Sequence, residues 1–169
     1  MLRLALPDEG MLEAVAAYKK EMLDDGGSMD GCGSLYRHTP EEWLQNCRAI
    51  SCEETCPDGW VPATQFVCLR CDGYIVGMID LRHRLNEYLS EIGGHIGYSV
   101  RPSERRKGYA TRMLSMVLGE ARRIGLKRVL VTCDADNAAS SRTIKRNGGV
   151  FERTALDGDN VICRYWIDL

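Results

Sequence analysis

Between Ser99 and Ala110 the chain reads Ser-Val-Arg-Pro-Ser-Glu-Arg-Arg-Lys-Gly-Tyr-Ala, the end of a strand-like run followed by a short basic loop and the start of a helical pattern. That order suits an anion. The first N–H groups of a helix have no partner within it and lie at the positive end of its dipole, so they can hold phosphate oxygens. Gly108 lets the backbone come close to a ligand, and Ala110 keeps the first turn open. Arg105, Arg106 and Lys107 stack three cations just before the helix. The loop has one glycine and no GK[ST], so it is neither a nucleotide-triphosphate loop nor a dinucleotide fingerprint. Taken alone, the three cations could equally be a solvated surface cluster.

The cysteines are the second set of residues with chemistry to offer, eight in all. Cys68 and Cys71 have the CxxC spacing of a zinc half-site, and Cys47, Cys52 and Cys56 could supply further ligands. The 68–71 segment reads as a strand, however, and has no paired second CxxC. Buried, reduced thiols are the favoured reading, and no metal is expected.

These groups must be positioned by the elements around them. Leu2–Leu6 alternates like a strand, and Met11, Val15, Tyr18 and Met22 recur at helical spacing. Asp24–Ser34 is an acidic glycine- and serine-rich loop, and Thr39-Pro40-Glu41-Glu42 forms a capping box that starts a second helix at Pro40. Thr64–Cys71 and Tyr74–Arg82 read as a hairpin joined by Asp72-Gly73. After a looser stretch from Leu85 to Gly94, Ile96, Tyr98 and Val100 alternate in a strand that Pro102 ends. Ala110, Met113, Leu114, Val117, Leu118 and Ala121 make one helical stripe closed by Gly125, and Arg128–Cys133 follows as a buried strand. A helix over Asn137–Asn147 and a hairpin of Val150–Leu156 with Val161–Ile167 complete the chain.

Composition sets the outer limits. The 169 residues suffice for one core, so residues 1–169 are read as a single domain, and 44% hydrophobic with 27% charged residues is ordinary globular usage. A net charge of -2 gives no general attraction to nucleic acid or to an anionic membrane. With no apolar run approaching the roughly 20 residues of a membrane span, and with proline and acids near the N-terminus, a cytoplasmic protein is expected.

The order of these features resembles the GNAT superfamily of N-acetyltransferases. That family's pyrophosphate loop, Gln/Arg-x-x-Gly-x-Gly/Ala, is matched by Arg105-x-x-Gly108-x-Ala110, and the resemblance runs over roughly residues 64–152, including Asn137-x-x-Ser140 and Gly148-Gly149. The first 60 residues fit the family's variable acceptor side only loosely. The resemblance implies an α/β (α+β) fold: a mixed, mostly antiparallel central sheet of about six to seven strands flanked by about four helices, splayed between the strands ending at Val100 and Cys133. It implies an N-acetyltransferase that moves an acetyl or small acyl group from acetyl-CoA to a primary amine of a small molecule or peptide. The donor would lie in the splay, its pyrophosphate on the backbone of Arg105, Arg106, Lys107, Gly108, Tyr109, Ala110 and Thr111, and its pantetheine along Ser99 and Val100. Asn137 and Ser140 would hold the cofactor arm from the other side, although Asn137 and Ser140 are also ordinary helix-start residues.

An amine must lose its proton before it attacks, because an ammonium of pKa near ~10.4 is mostly charged at neutral pH. In many relatives a glutamate does this from the strand position matched here by His95, and Glu91 just before that strand is a second candidate. A backbone N–H near Val100 would face the developing oxyanion. The tyrosine that many relatives use as proton donor, seven residues after the asparagine, is Ile144 in this chain. Ser140 is the alternative donor, as a serine is in branches acting on protein N-termini. The run Arg82-His83-Arg84-Leu85-Asn86 resembles a feature of one little-characterised branch and could contact acceptor or cofactor. Two other readings stay open at this stage: a degenerate acyl-CoA-binding module and a cysteine-based zinc protein. Homodimers are common among the relatives the chain resembles, but no surface in the sequence declares an interface.

Overall fold

The computed structural model describes residues 2–169. Seven strands and four α-helices follow one another as β1 (Leu2–Ala5), α1 (Leu12–Asp25), α2 (Pro40–Ala49), β2 (Ala63–Arg70), β3 (Ile75–Arg82), β4 (Ile96–Val100), α3 (Tyr109–Arg123), β5 (Arg128–Asp134), α4 (Ala138–Arg146), β6 (Val150–Asp157) and β7 (Asn160–Asp168). One sheet contains all the strands, in the order β1-β2-β3-β4-β5-β7-β6. Every neighbouring pair is antiparallel except β4 and β5. The expected mixed, mostly antiparallel sheet of six to seven strands is therefore present. Among the described residues no helix is long and apolar enough to cross a membrane.

The middle of the sheet is covered on both faces, which is why β2 and β3 are apolar without clean alternation. Phe66, Cys68, Val76 and Ile79 turn toward α3, joining Met113, Leu114, Val117, Leu118 and Ala121 of its predicted stripe. Val67, Leu69, Ile75 and Met78 turn the other way, against Val15, Tyr18 and Met22 of α1 and Trp43 of α2. Each large side chain buried in this way stabilises the fold by about 1.5–3 kcal/mol. The capping box forms as expected: Thr39 Oγ1 accepts from the Glu42 N–H at 3.2 Å, and Glu42 Oε2 accepts from the Thr39 N–H at 2.9 Å.

The Asp72-Gly73 hairpin departs from the tight two-residue form. The strands end at Arg70 and resume at Ile75, with a register shift at Cys68/Leu69. Asp72 Oδ1 accepts from the Tyr74 N–H at 3.2 Å and Gly73 sits at φ 82°, so the side chain and the glycine together shape a wider turn. The looser stretch before β4 winds into a turn over Leu89–Gly93. All eight cysteines are free; Cys68 is buried and Cys71 exposed.

Candidate active site

The basic loop after β4 is built to leave backbone donors open. Pro102–Glu104 makes a short helical turn, then Arg106 at φ 64° and Gly108 at φ 79° both adopt left-handed conformations before α3 begins at Tyr109. The chain is thereby folded so that, among the described residues, none of the backbone N–H groups of residues 106–111 donates to a protein acceptor. A run of open amides at the start of a helix is a cradle for an anion. A Cβ added at Gly108 would meet nothing within 4 Å, so the space beside the loop is open.

Two of the three cations are fasteners for this loop. Arg105 Nη1 lies 2.9 Å from Asp25 Oδ2, and its Nε donates to the Val100 carbonyl at 3.2 Å. Lys107 Nζ is 3.0 Å from Glu104 Oε2, and Arg70 reaches the other oxygen of that buried carboxylate at 3.2 Å. Among the described residues the Arg106 side chain has neither ion pair nor hydrogen bond, so it alone of the three is free to meet a ligand. Behind the loop, buried Arg101 donates to Glu21 at 2.6 Å, and the same carboxylate accepts from the Ser103 N–H at 2.8 Å, tying the turn to α1.

The cradle opens into a cleft of about 980 Å³. Its cause lies in the sheet: β4 and β5 pair only at Ile96↔Val131 and then diverge. Tyr98, Ser99 and Val100 line one wall, Thr132, Cys133 and Asp134 the other, and Asn137, Ser140, Arg142 and Arg146 come from the α4 side. Beyond Ile96 the edge of β4 that faces β5 has no ladder partner, leaving main-chain groups for an extended ligand.

Asn137 and Ser140 do meet at the start of α4, with separate jobs. Asn137 is the N-cap, its Oδ1 accepting the Ser140 N–H at 3.0 Å. The Ser140 hydroxyl is left free of capping and shares a 2.7 Å hydrogen bond with Tyr98 across the cleft. Burial pushes the Tyr98 hydroxyl up to about 12, so it stays protonated. Ile144 is fully buried in the core, away from the cleft wall. The hydroxyl of Ser99 turns to the α1 side, 3.1 Å from Tyr18 and 3.1 Å from Cys32 Sγ, so only its backbone is offered to the cleft.

His95 and Glu91, the two bases expected from sequence, stand outside the cleft lining. His95 is buried; its backbone N–H donates to the Leu130 carbonyl at 2.7 Å, and its ring Nδ1 accepts the Leu130 N–H at 2.9 Å. Burial, helped by the charge of Arg82, pushes its pKa down to about 4, so the ring is neutral and already spent as an acceptor. Glu91 is exposed and paired with Arg153 at 2.7 Å, which holds its carboxyl below the usual range. Arg82 does line the cleft, but its guanidinium donates to the Gly93 carbonyl at 2.7 Å and the Gly94 carbonyl at 3.0 Å and pairs with Asp80 at 3.1 Å.

Sequence reasoning passed over Tyr98, Arg142, Arg146 and Asp134. Tyr98 was visible only as one beat of a strand alternation; its approach to Ser140 depends on how far β4 and β5 splay. Asp134 closes β5 at the cleft mouth, and burial together with repulsion from Asp30, Asp136 and Asp157 raises its proton affinity.

Comparisons with known proteins agree with this fold. The chain is similar over 99% of its length to the acetyl transferase from Salmonella typhimurium that modifies the N-terminal serine of a 50S ribosomal subunit protein, at 19% identity, TM-score 0.69 and 95% coverage of that chain. A ribosomal-protein alanine acetyltransferase from Vibrio fischeri matches at 18% identity and TM-score 0.73, covering 99% of this chain and 92% of its own. A spermidine N-acetyltransferase chimera from Vibrio cholerae matches at 16% identity and TM-score 0.67, covering 99% and 95%. No curated protein sequence matches the chain. The family model for the acetyltransferase (GNAT) domain matches residues 13–150, which carries the likeness back through α1 and α2. The chain belongs to the GNAT acetyltransferase family.

Proposed function

We propose that this chain is an acyl-CoA-dependent N-acyltransferase that moves an acetyl or similarly small acyl group onto a primary amine while donor and acceptor are bound together. The observation that carries the reading is the row of open backbone amides over residues 106–111 at the foot of a cleft between splayed strands. Those amides, with Arg106 beside them and Arg142 and Arg146 opposite, would hold the phosphates of acetyl-CoA. When bound, acetyl-CoA supplies an acyl group activated as a thioester.

The chain's own residues then manage two protons. Tyr98 and Ser140 keep hydroxyl protons at the cleft wall, 2.7 Å apart, and stand in for the tyrosine absent at Ile144. On the acidic side, exposed Asp134 takes the ammonium proton, directly or through water, its proton affinity raised by partial desolvation and by the neighbouring carboxylates. His95 and Glu91 hold the scaffold instead.

Calorimetric titration with acetyl-CoA tests the reading. The native chain should bind in the micromolar range. Gly108→Glu, which puts bulk and negative charge beside the open amides, should abolish binding while its circular dichroism stays native. Absence of binding by the native chain would overturn the proposal.

A further inference from the structure

A second cavity of about 460 Å³ continues the cleft, sharing Asp30, Arg82, Tyr88 and Leu89 with it. Its size is that of a pocket for a small organic group. It lies between the 26–34 loop and the chain leading into β2, and Ile50, Val61 and Ala63 make part of its wall. Trp60 and Tyr88, both 58% exposed, border it as well. Of the tryptophans, Trp43 is fully buried and Trp166 half-buried, so Trp60 is the one with a ring face left for a ligand.

Charge in this cavity is unevenly settled. Asp80, at its inner wall, is buried and satisfied: it accepts the Gly97 N–H at 2.8 Å and pairs with Arg82 at 3.1 Å. Arg82 in turn is committed to Asp80 and to two carbonyls. Asp30 sits where the two cavities join and, among the described residues, has no cationic partner. Its charge is felt at the joint: after burial, it is among the causes that hold Tyr88 and Tyr98 in their protonated forms. The cavity thus offers an apolar and aromatic lining with one exposed carboxylate that has no cationic side-chain partner among the described residues, on the side facing the acyl cleft.

We infer that this cavity is the acceptor pocket and that it selects a primary ammonium joined to a compact apolar or aromatic group, the ammonium resting at Asp30 and the apolar body on Trp60, Ile50 and Val61. This rests on the acyltransferase reading for the use made of the amine, but not for the binding itself. A cation over an indole face and against a carboxylate is held by two independent attractions. A polyamine, charged at both ends, would have to desolvate its second ammonium against the apolar wall, which is costly. The same chemistry is carried by a free arylalkylamine and by a polypeptide amino terminus whose first residue is large and apolar.

The probes are phenethylamine, a tripeptide beginning with phenylalanine, and spermidine. Tryptophan fluorescence is titrated first without coenzyme. Phenethylamine or the peptide should perturb the emission of the native chain and not that of Trp60→Phe, and spermidine should bind more weakly than the better of the two. Whichever of those two binds more tightly identifies the source of the amine. With acetyl-CoA present, Asp30→Asn and Trp60→Ala should each raise the KM for that amine about tenfold or more and leave acetyl-CoA affinity unchanged. Preference for spermidine, or amine binding indifferent to both substitutions, overturns the inference. Trp60-dependent amine binding by a chain that binds no acetyl-CoA would overturn the transferase reading and sustain this one.

Discussion

His95 illustrates how a residue type that suggests chemistry can be fully employed by the fold. Its Nδ1 replaces a backbone acceptor for the Leu130 N–H at the point where β4 and β5 begin to part. The folded ring titrates at about 4 against 6.5 when unfolded, with burial the main cause. Between those values the unfolded chain binds more protons, so the stability that depends on a neutral His95 is complete above pH 6.5 and lost as pH falls toward 4. The loss between pH 7 and pH 5 should be about 2 kcal/mol. His95→Asn keeps an acceptor near the same place and does not titrate, so its denaturation midpoint should change less over that interval than the native one. Turnover near neutral pH should survive this change, and a collapse of kcat with unaltered stability would return His95 to the list of bases. Tyr98→Phe should behave oppositely: kcat falling about a hundredfold, with acetyl-CoA affinity and melting temperature nearly unmoved. An unchanged kcat would make the Tyr98–Ser140 hydrogen bond a packing feature.

At the scale of elements, what the sequence disclosed depended on whether the signal was local. The α3 stripe, the Thr39 capping box and the Arg105-x-x-Gly108-x-Ala110 loop are written in residues close together in the chain, and each stands where spacing put it. Tyr98 meeting Ser140, and Asp30 reaching the cleft, are products of topology, the first pair lying 42 positions apart in the chain. Spacing holds no trace of such meetings. The 26–34 loop shows the same limit. Its composition marked an acidic glycine-rich loop whose Asp24, Asp25 and Asp30 could attract a cationic amine or simply be solvated, but not where it packs: Gly31, at φ 72°, lies so close on β4 that a Cβ there would sit 2.2 Å from the Gly97 carbonyl oxygen. Left-handed backbone alone makes Gly31→Ala cost about 1–2 kcal/mol, and the clash must also lift the loop from the strand. The variant should lose amine binding and expose the loop to limited proteolysis while still binding acetyl-CoA. Native protease resistance together with native amine KM would mean that the loop's seat on β4 is not what shapes the acceptor side.

Within the sheet, two halves meet at one narrow seam, and a single core under α3 runs beneath both. β1–β4 form one half and β5, β7 and β6 the other; in the sheet they are joined by the Ile96↔Val131 pair, the two Leu130–His95 hydrogen bonds and the 2.7 Å bond from Thr132 Oγ1 to the Ile92 carbonyl, and outside it by the Tyr98–Ser140 and Glu91–Arg153 contacts and the Asn147 side chain's donation to the Thr111 carbonyl. Arg164 of β7, almost fully buried, reinforces the seam by donating to the carbonyls of Ser90 and Glu91. A ligand in the cleft touches both halves, since Gly108–Thr111 belong to the first side and Asn137–Arg146 to the second. Its binding energy should therefore appear as stability of the entire fold. At a hundredfold excess over Kd, acetyl-CoA should add about 2.7 kcal/mol, which for a chain of this size raises Tm by about 5–10 °C. Gly108→Glu should melt without any such shift, and amides along β5 should gain exchange protection only in the native complex. Protection confined to the 106–111 loop would mean that the ligand docks on one half alone, and the splay would then be a passive opening that binding does not bridge.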